Sequence, residues 1–99
     1  MTDPVAALRS AFVARCRTDL AELRRLGDRG DTAGVGALVH RLAGAAGSFG
    51  FPEVSAAALV VDQQIRDGGA AAQADMERLL GLLTELAGAE DSRSRPHPG

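Results

Sequence analysis

The sequence predicts an all-α fold, an antiparallel up-down-up-down four-helix bundle. Three observations support this prediction. The strong helix formers Ala, Leu, Arg and Glu are abundant, whereas β-branched residues are few and scattered. Apolar residues recur at helical spacing in four segments. Only a few residues separate these segments, as the short connections of an antiparallel bundle require.

The first helix is predicted from Pro4 to about Leu26, because Asp3 can cap it and Pro is favoured at the first helical position. The glycines and charged residues at 27–30 should end it. Its apolar stripe is expected to face the core. The stripe consists of Leu8, Phe12, Cys16, Leu20, Leu23 and Leu26.

The second helix begins near Asp31 or Thr32, either of which can cap, and Gly50 is its natural terminator. Its core stripe consists of Val35, Leu38, Val39, Leu42, Ala46 and Phe49. Off this stripe, His40 lies at about 140° on a helical wheel centred on Val35, on the side that a bundle turns toward solvent.

The third helix is predicted from Pro52 to about Ile65, and the fourth from Ala72 to Ala87, closed by Gly88. The core positions of these two helices are Val54, Ala57, Ala58, Val61, Ile65, Met76, Leu79, Leu80, Leu83 and Ala87. Residues 89–99 have no apolar periodicity and are predicted to be a disordered tail. The domain is therefore assigned to residues 1–88.

Composition excludes several classes of function. The 99 residues provide one core, and a single cysteine with two histidines can form neither a disulfide framework nor a typical zinc site. With 3% aromatic residues and a net charge of −2, the chain has no nucleic-acid footprint. It has no apolar run of transmembrane length and no signal-peptide pattern, so we expect a cytoplasmic, membrane-free protein.

The face of the second helix around His40 carries only small residues. They are Gly36, Ala37, Ala43, Gly44 and Gly47. Glycine inside a helix costs about 1 kcal/mol relative to alanine, so a compensating role is expected. Small residues would let a partner's active site come close to the imidazole. The alternative is that an Ala/Gly-rich sequence places small residues on an exposed face by composition alone, and that His40 is an ordinary surface histidine.

The segment from Val39 to Gly50, VHRLAGAAGSFG, resembles the histidine-containing phosphotransfer (HPt) domain. It shares with that family the His, Leu42, Gly44, the small residues after it, and Gly50. The resemblance extends over about residues 4–88. It implies a phosphorelay intermediate in which His40 accepts a phosphoryl group from the aspartate of one receiver domain and passes it to another. The implied partners are response-regulator receivers and a hybrid sensor kinase.

The resemblance also implies that the receiver supplies Mg²⁺ and the acidic pocket, so the HPt protein needs no cofactor of its own. Neutral imidazole is a competent nucleophile near neutral pH. If the second and third helices form a hairpin, Asp62 and Gln63 are the polar residues level with His40. We expect Asp62 to accept a hydrogen bond from Nδ1, as carboxylates orient histidines elsewhere. The alternative is that Asp62 is a solvated helix residue.

One position departs from the family pattern. The family's lysine three residues after the histidine is Ala43 here, and neither Arg41 nor Arg66 obviously replaces it. A degenerate HPt fold that binds receivers without carrying phosphate, or a scaffold that dimerises through its small-residue face, is therefore the competing interpretation. We expect a monomer. We also expect no kinase activity, because no ATP-binding motif is present. Leu59, off the third helix's stripe, is a candidate for the docking face, and Cys16 is predicted to be core.

Overall fold

The structure is a computed structural model that describes residues 3–94. It contains four helices, α1 Pro4–Asp28, α2 Thr32–Ser48, α3 Pro52–Arg66 and α4 Gln73–Ser94, and no strand lies within the described residues. Helices α1 and α3 each pack against both α2 and α4, which gives the ring of neighbours that a bundle requires. The all-α prediction is confirmed. The alternating direction of the helices stays a prediction.

The helix ends follow the local signals in the sequence. The Asp3 carboxylate accepts a hydrogen bond from the Val5 N–H at 3.0 Å, and Asp31 accepts from the Gly34 N–H at 2.9 Å. Each carboxylate satisfies a backbone donor that the first turn leaves without an intrahelical partner. At the other end of α2, Gly50 adopts φ +82°, a left-handed conformation that favours glycine.

The predicted end of the fourth helix is wrong. Helix α4 continues through Gly88 to Ser94, so part of the segment predicted as a disordered tail is helical. A single glycine costs only about 1 kcal/mol in a helix, and the first proline after it is Pro96. Residues 95–99 of the predicted tail lie outside the described residues. Between residues 3 and 94, no helix combines the length and apolarity that crossing a bilayer requires.

The core is built almost entirely from the predicted stripes. Its completely buried side chains come from all four helices, and the largest are Leu42, Leu79, Leu83, Val39, Val61 and Cys16. Leu8 departs from the prediction, since 54% of it is exposed. Helix α1 is about 37 Å long and α2 about 25 Å, so α2 cannot cover the whole length of α1. The apolar pattern therefore predicts which face of a helix points to the core, but not how far along the helix a neighbour covers that face.

The bundle end near the α2–α3 connection is closed by aromatic rings. Phe12 stacks against Phe49 and Phe51, with ring centroids 5.6 Å and 5.1 Å away. The Arg9 guanidinium lies 5.0 Å from the Phe51 centroid, on the outer side of this cluster. The cluster ties the α2–α3 connection to α1 and so holds the two helices that carry His40 and Asp62 against the rest of the core.

The burial pattern predicts opposite outcomes for two leucine truncations. Leu42→Ala removes a completely buried side chain, so it should lower the free energy of unfolding by about 2–5 kcal/mol. Leu59→Ala removes a side chain that is 52% exposed and should change it by less than about 0.5 kcal/mol. Urea denaturation of both variants and the parent measures the difference. Equal losses would contradict the assignment of the core.

Candidate functional site

Helices α2 and α3 approach each other closely because glycines line their contact. A Cβ added to Gly36 would lie 3.1 Å from the Ile65 side chain, and one added to Gly47 would lie 3.4 Å from Ser55 Oγ. The Ser55 hydroxyl also donates a hydrogen bond to the Ala43 carbonyl at 2.9 Å. These contacts bring the backbone of α3 close to the turn of α2 that carries His40.

His40 lies in the middle of α2 with 63% of its side chain exposed, as predicted from its position off the core stripe. Its Nδ1 lies 3.3 Å from Oδ2 of Asp62 and 2.8 Å from Nη2 of Arg66, both on α3. Within residues 3–94, the polar contacts of the ring fall on Nδ1, which leaves Nε2 as the nitrogen accessible to a partner. The expected neighbour of His40, Asp62, is therefore in place.

Asp62 is a buried carboxylate, with 7% of the residue exposed. Nε of Arg66 donates to both of its oxygens, at 3.1 and 3.2 Å, across one turn of α3. Burial alone would raise the pKa of the Asp62 carboxyl. A hydrogen bond from His40, when its Nδ1 is protonated, and the hydrogen bonds from Arg66 outweigh burial and hold this pKa below its usual range. The carboxylate is therefore charged at neutral pH and can stabilise positive charge on the His40 ring.

Three of the five small residues predicted for the docking face are exposed, and the other two, Gly36 and Ala43, are not. Ala37 and Gly44 are exposed, and nothing lies within 4 Å of the position that a Cβ on Gly44 would take. The prediction that Ala43 lies on the exposed face is wrong, because Ala43 is 4% exposed and belongs to the core. Gly36 is half-buried against α3, and Gly47 is exposed beside Ser55.

Leu59 is exposed, as is its neighbour Val60, so both remain off the core. Gln63, the other polar candidate level with His40, donates instead to Asp67 on its own helix at 3.1 Å. Of the two candidates for the neighbour of His40, Asp62 therefore lies within hydrogen-bond distance of the ring, whereas Gln63 contacts its own helix.

The sequence reasoning missed two features around His40. Arg66, which by sequence position did not obviously replace the family's lysine, contacts the ring directly, and the available signal was its spacing of four residues from Asp62. The second is an ion pair between α1 and α2, in which Arg41 Nη2 lies 3.0 Å from the buried carboxylate of Asp19. This ion pair holds Arg41 on the α1 side of α2. Of the two arginines, Arg66 is therefore the one that contacts the His40 ring.

Cys16 is completely buried, as predicted. Burial, followed by the negative charge of Asp19, raises the pKa of the Cys16 thiol to about 12. The thiol is therefore protonated at physiological pH and packs as a small apolar side chain. Across the part of the chain that the structure describes, no three His, Cys, Asp or Glu side chains are grouped so that they could hold a metal ion.

Comparison with protein families agrees with this geometry. The model of the Hpt domain family matches residues 7–89, more than four fifths of the chain. The chain belongs to the Hpt domain family. Hpt domains are phosphotransfer carriers of two-component phosphorelay signalling, so the resemblance of the His40 segment is confirmed at the level of the family. No curated protein and no solved structure matches the chain.

The lowered pKa of Asp62 predicts a pH-dependent contribution to stability. A carboxyl whose pKa is lower in the folded protein stabilises it fully above the unfolded pKa of about 3.9, and this is lost as the pH falls through the folded value. Asp62→Asn should therefore be less stable than the parent at neutral pH, and the difference should shrink below about pH 4. Urea unfolding at a series of pH values measures it. A difference that does not change with pH would contradict the assignment.

Proposed function

We propose that this Hpt domain is a phosphorelay intermediate that carries its phosphoryl group on His40. The observation that supports the proposal is the ring geometry: His40 is exposed in the middle of α2, its Nδ1 contacts α3, and its Nε2 is accessible. His40 accepts the phosphoryl group from a receiver-domain aspartate and passes it to a second receiver.

The chemistry of transfer fits these groups. The lone pair of Nε2 attacks the phosphorus of an aspartyl phosphate, and an N–P bond forms while the P–O bond to the aspartate breaks. The leaving carboxylate takes the electron pair, and the imidazole becomes an imidazolium that keeps its proton on Nδ1. The charged Asp62 carboxylate stabilises this positive ring. Phosphoryl transfer otherwise requires in-line positioning, which the docked partner imposes.

The receiver provides the rest of the site. Its acidic pocket and Mg²⁺ bind the phosphoryl group, so the Hpt domain contributes a nucleophile without a cofactor or kinase activity of its own. Its partners are response-regulator receivers and a hybrid sensor kinase, and it functions as a cytoplasmic monomer. The open surface at Ala37 and Gly44 lets the receiver approach the ring.

The proposal includes antiparallel packing of α2 and α3, since a hairpin places Asp62 level with His40. The contacts between the two helices support it. Gly36 lies opposite Ile65, while Gly47, near the other end of α2, lies opposite Ser55 near the start of α3. The contact nearer the end of α2 is therefore nearer the start of α3, as antiparallel helices require.

Ala43 favours one alternative. A member of the family without the usual lysine beside its histidine could bind receivers without carrying phosphate, and its small residues would then serve docking or dimerisation only. This alternative and the proposal differ in one measurable product, a phosphoryl group on His40.

The two histidines of the chain provide a matched test. After incubation with a phosphorylated receiver, the parent protein should gain the mass of one phosphoryl group in an acid-labile form, and His40→Gln should gain none. His97→Gln removes the only other histidine and should be phosphorylated like the parent. Intact-mass spectrometry measures the product. A parent protein that binds the receiver but gains no phosphoryl group would support the degenerate alternative.

Two exposed helical glycines test the docking surface. Gly44 in α2 and Gly81 in α4 both have nothing within 4 Å of a Cβ position. Gly44→Gln and Gly81→Gln should each stabilise the fold by about 0.5–1 kcal/mol, because glutamine is the better helix former. Only Gly44→Gln should slow phosphoryl transfer from the receiver, since its side chain stands one turn from His40. Equal transfer rates for the two variants would place the docking surface elsewhere.

A further inference from the structure

We propose that Arg66 controls which nitrogen of His40 carries the proton, and so keeps the histidine non-nucleophilic at Nε2 until a phosphorylated partner binds. This inference rests on the proposed function of His40. Arg66 is a positioning residue, because it acts on the reacting nitrogen through the opposite nitrogen of the ring.

The two contacts at Nδ1 require opposite protonation states of this nitrogen. Arg66 Nη2 lies 2.8 Å from Nδ1 and only donates hydrogen bonds, so this contact is a hydrogen bond only when Nδ1 has no proton. Asp62 Oδ2 lies 3.3 Å from the same atom and, as a carboxylate, only accepts. That contact is a hydrogen bond only when Nδ1 is protonated. The site therefore has two exclusive arrangements.

Each arrangement determines the state of Nε2. A neutral imidazole has one N–H, so when Arg66 donates to Nδ1 the proton is on Nε2. That nitrogen then has no free lone pair and cannot attack phosphorus. When Nδ1–H donates to Asp62, Nε2 has its lone pair and is the nucleophile. The shorter contact in the structure is the one to Arg66, which corresponds to the resting, non-nucleophilic arrangement.

The positive charge of Arg66 also disfavours attack by Nε2. Attack by Nε2 makes the ring positive, and a guanidinium 2.8 Å from Nδ1 would oppose that charge. Transfer therefore requires Nη2 to leave Nδ1. The departure is feasible because 56% of the Arg66 side chain is exposed and because Nε is bonded to Asp62, so the guanidinium can reorient without losing its anchor.

The chemistry of the partner supplies the trigger. An aspartyl phosphate brings phosphoryl oxygens and neighbouring carboxylates to His40, and these groups are strong acceptors for an arginine donor. When Nη2 turns to such an oxygen, the proton can occupy Nδ1 and pair with Asp62. The lone pair on Nε2 thus becomes available when the donor is docked. The same movement supplies the cation that Ala43 does not.

The nitrogen resonances of the His40 ring test the proposal directly. In the uniformly ¹⁵N-labelled parent, at a pH where the ring is neutral, Nε2 should be protonated and Nδ1 should have the shift of an acceptor. In Arg66→Met the proton should move to Nδ1, toward Asp62. Arg66→Leu, which also has no hydrogen-bond donor, provides a second variant should the first fold poorly. A proton on Nδ1 in the parent, or the same tautomer in all three proteins, would overturn the proposal.

Phosphorylation by the small donor phosphoramidate supplies a second readout that requires no receiver. Phosphoramidate is not docked and brings no neighbouring carboxylates, so it does not hold Nη2 away from Nδ1 in the parent. Arg66→Met should therefore be phosphorylated on His40 about fivefold faster than the parent, the factor expected for release of one exposed hydrogen bond. Arg78→Met is the control, because Arg78 is an exposed arginine of α4, whose neighbours in the ring of helices are α1 and α3. It should react at the parental rate.

The outcomes separate the two proposals. Equal rates for Arg66→Met and the parent, with phosphate on His40 in both, would refute the role of Arg66 and leave the phosphorelay function intact. Absence of phosphohistidine in every protein, with a phosphorylated receiver as well as with phosphoramidate, would refute the proposed function itself.

Discussion

The close contact between α2 and α3 is the constraint on which the candidate site depends. His40 is on one helix and both groups that contact its ring are on the other, so the distance between the helices determines whether the three can meet. That distance is short because Gly36 faces Ile65 without a Cβ. A larger residue at position 36 would have to displace the Ile65 side chain or separate the helices, and separation would move His40 away from α3.

The buried carboxylate of Asp62 is the second requirement. A charge at this depth is unfavourable unless it is paired, and its partners are the Arg66 guanidinium and the His40 ring. Both partners interact with the Asp62 carboxylate, so the protonation of the His40 ring and the position of the Arg66 guanidinium are not independent. Structural pairing and control of the histidine are therefore properties of one cluster, which accounts for an ionisable residue where α3 would otherwise bury an apolar one.

Local patterns predict most of the fold and about half of the site. Helix starts, core stripes and the exposure of His40 follow from spacing within one helix, and Asp62 follows from counting outward from the α2–α3 connection. The end of α4 and the exposure of Leu8 depend on how far neighbouring helices extend, which no single segment encodes. Arg66 was missed because its contact with His40 depends on a side-chain conformation between helices, whereas the wheel compares positions within one.

The small residues of α2 have two separate uses, and distinguishing them explains the missing lysine. Ala43 faces the core, so the size of its side chain is limited by packing, and a lysine there would have to carry its charge out past α3. The glycines Gly36 and Gly47 let α3 lie close enough for Arg66 to reach the ring. Positive charge beside the histidine is thus supplied from the neighbouring helix, while Gly44, on the open side, leaves the approach to Nε2 clear. A bundle that supplies the cation from α3 keeps it beside Nδ1, where it can act on the proton of the ring as well as on an incoming phosphoryl group.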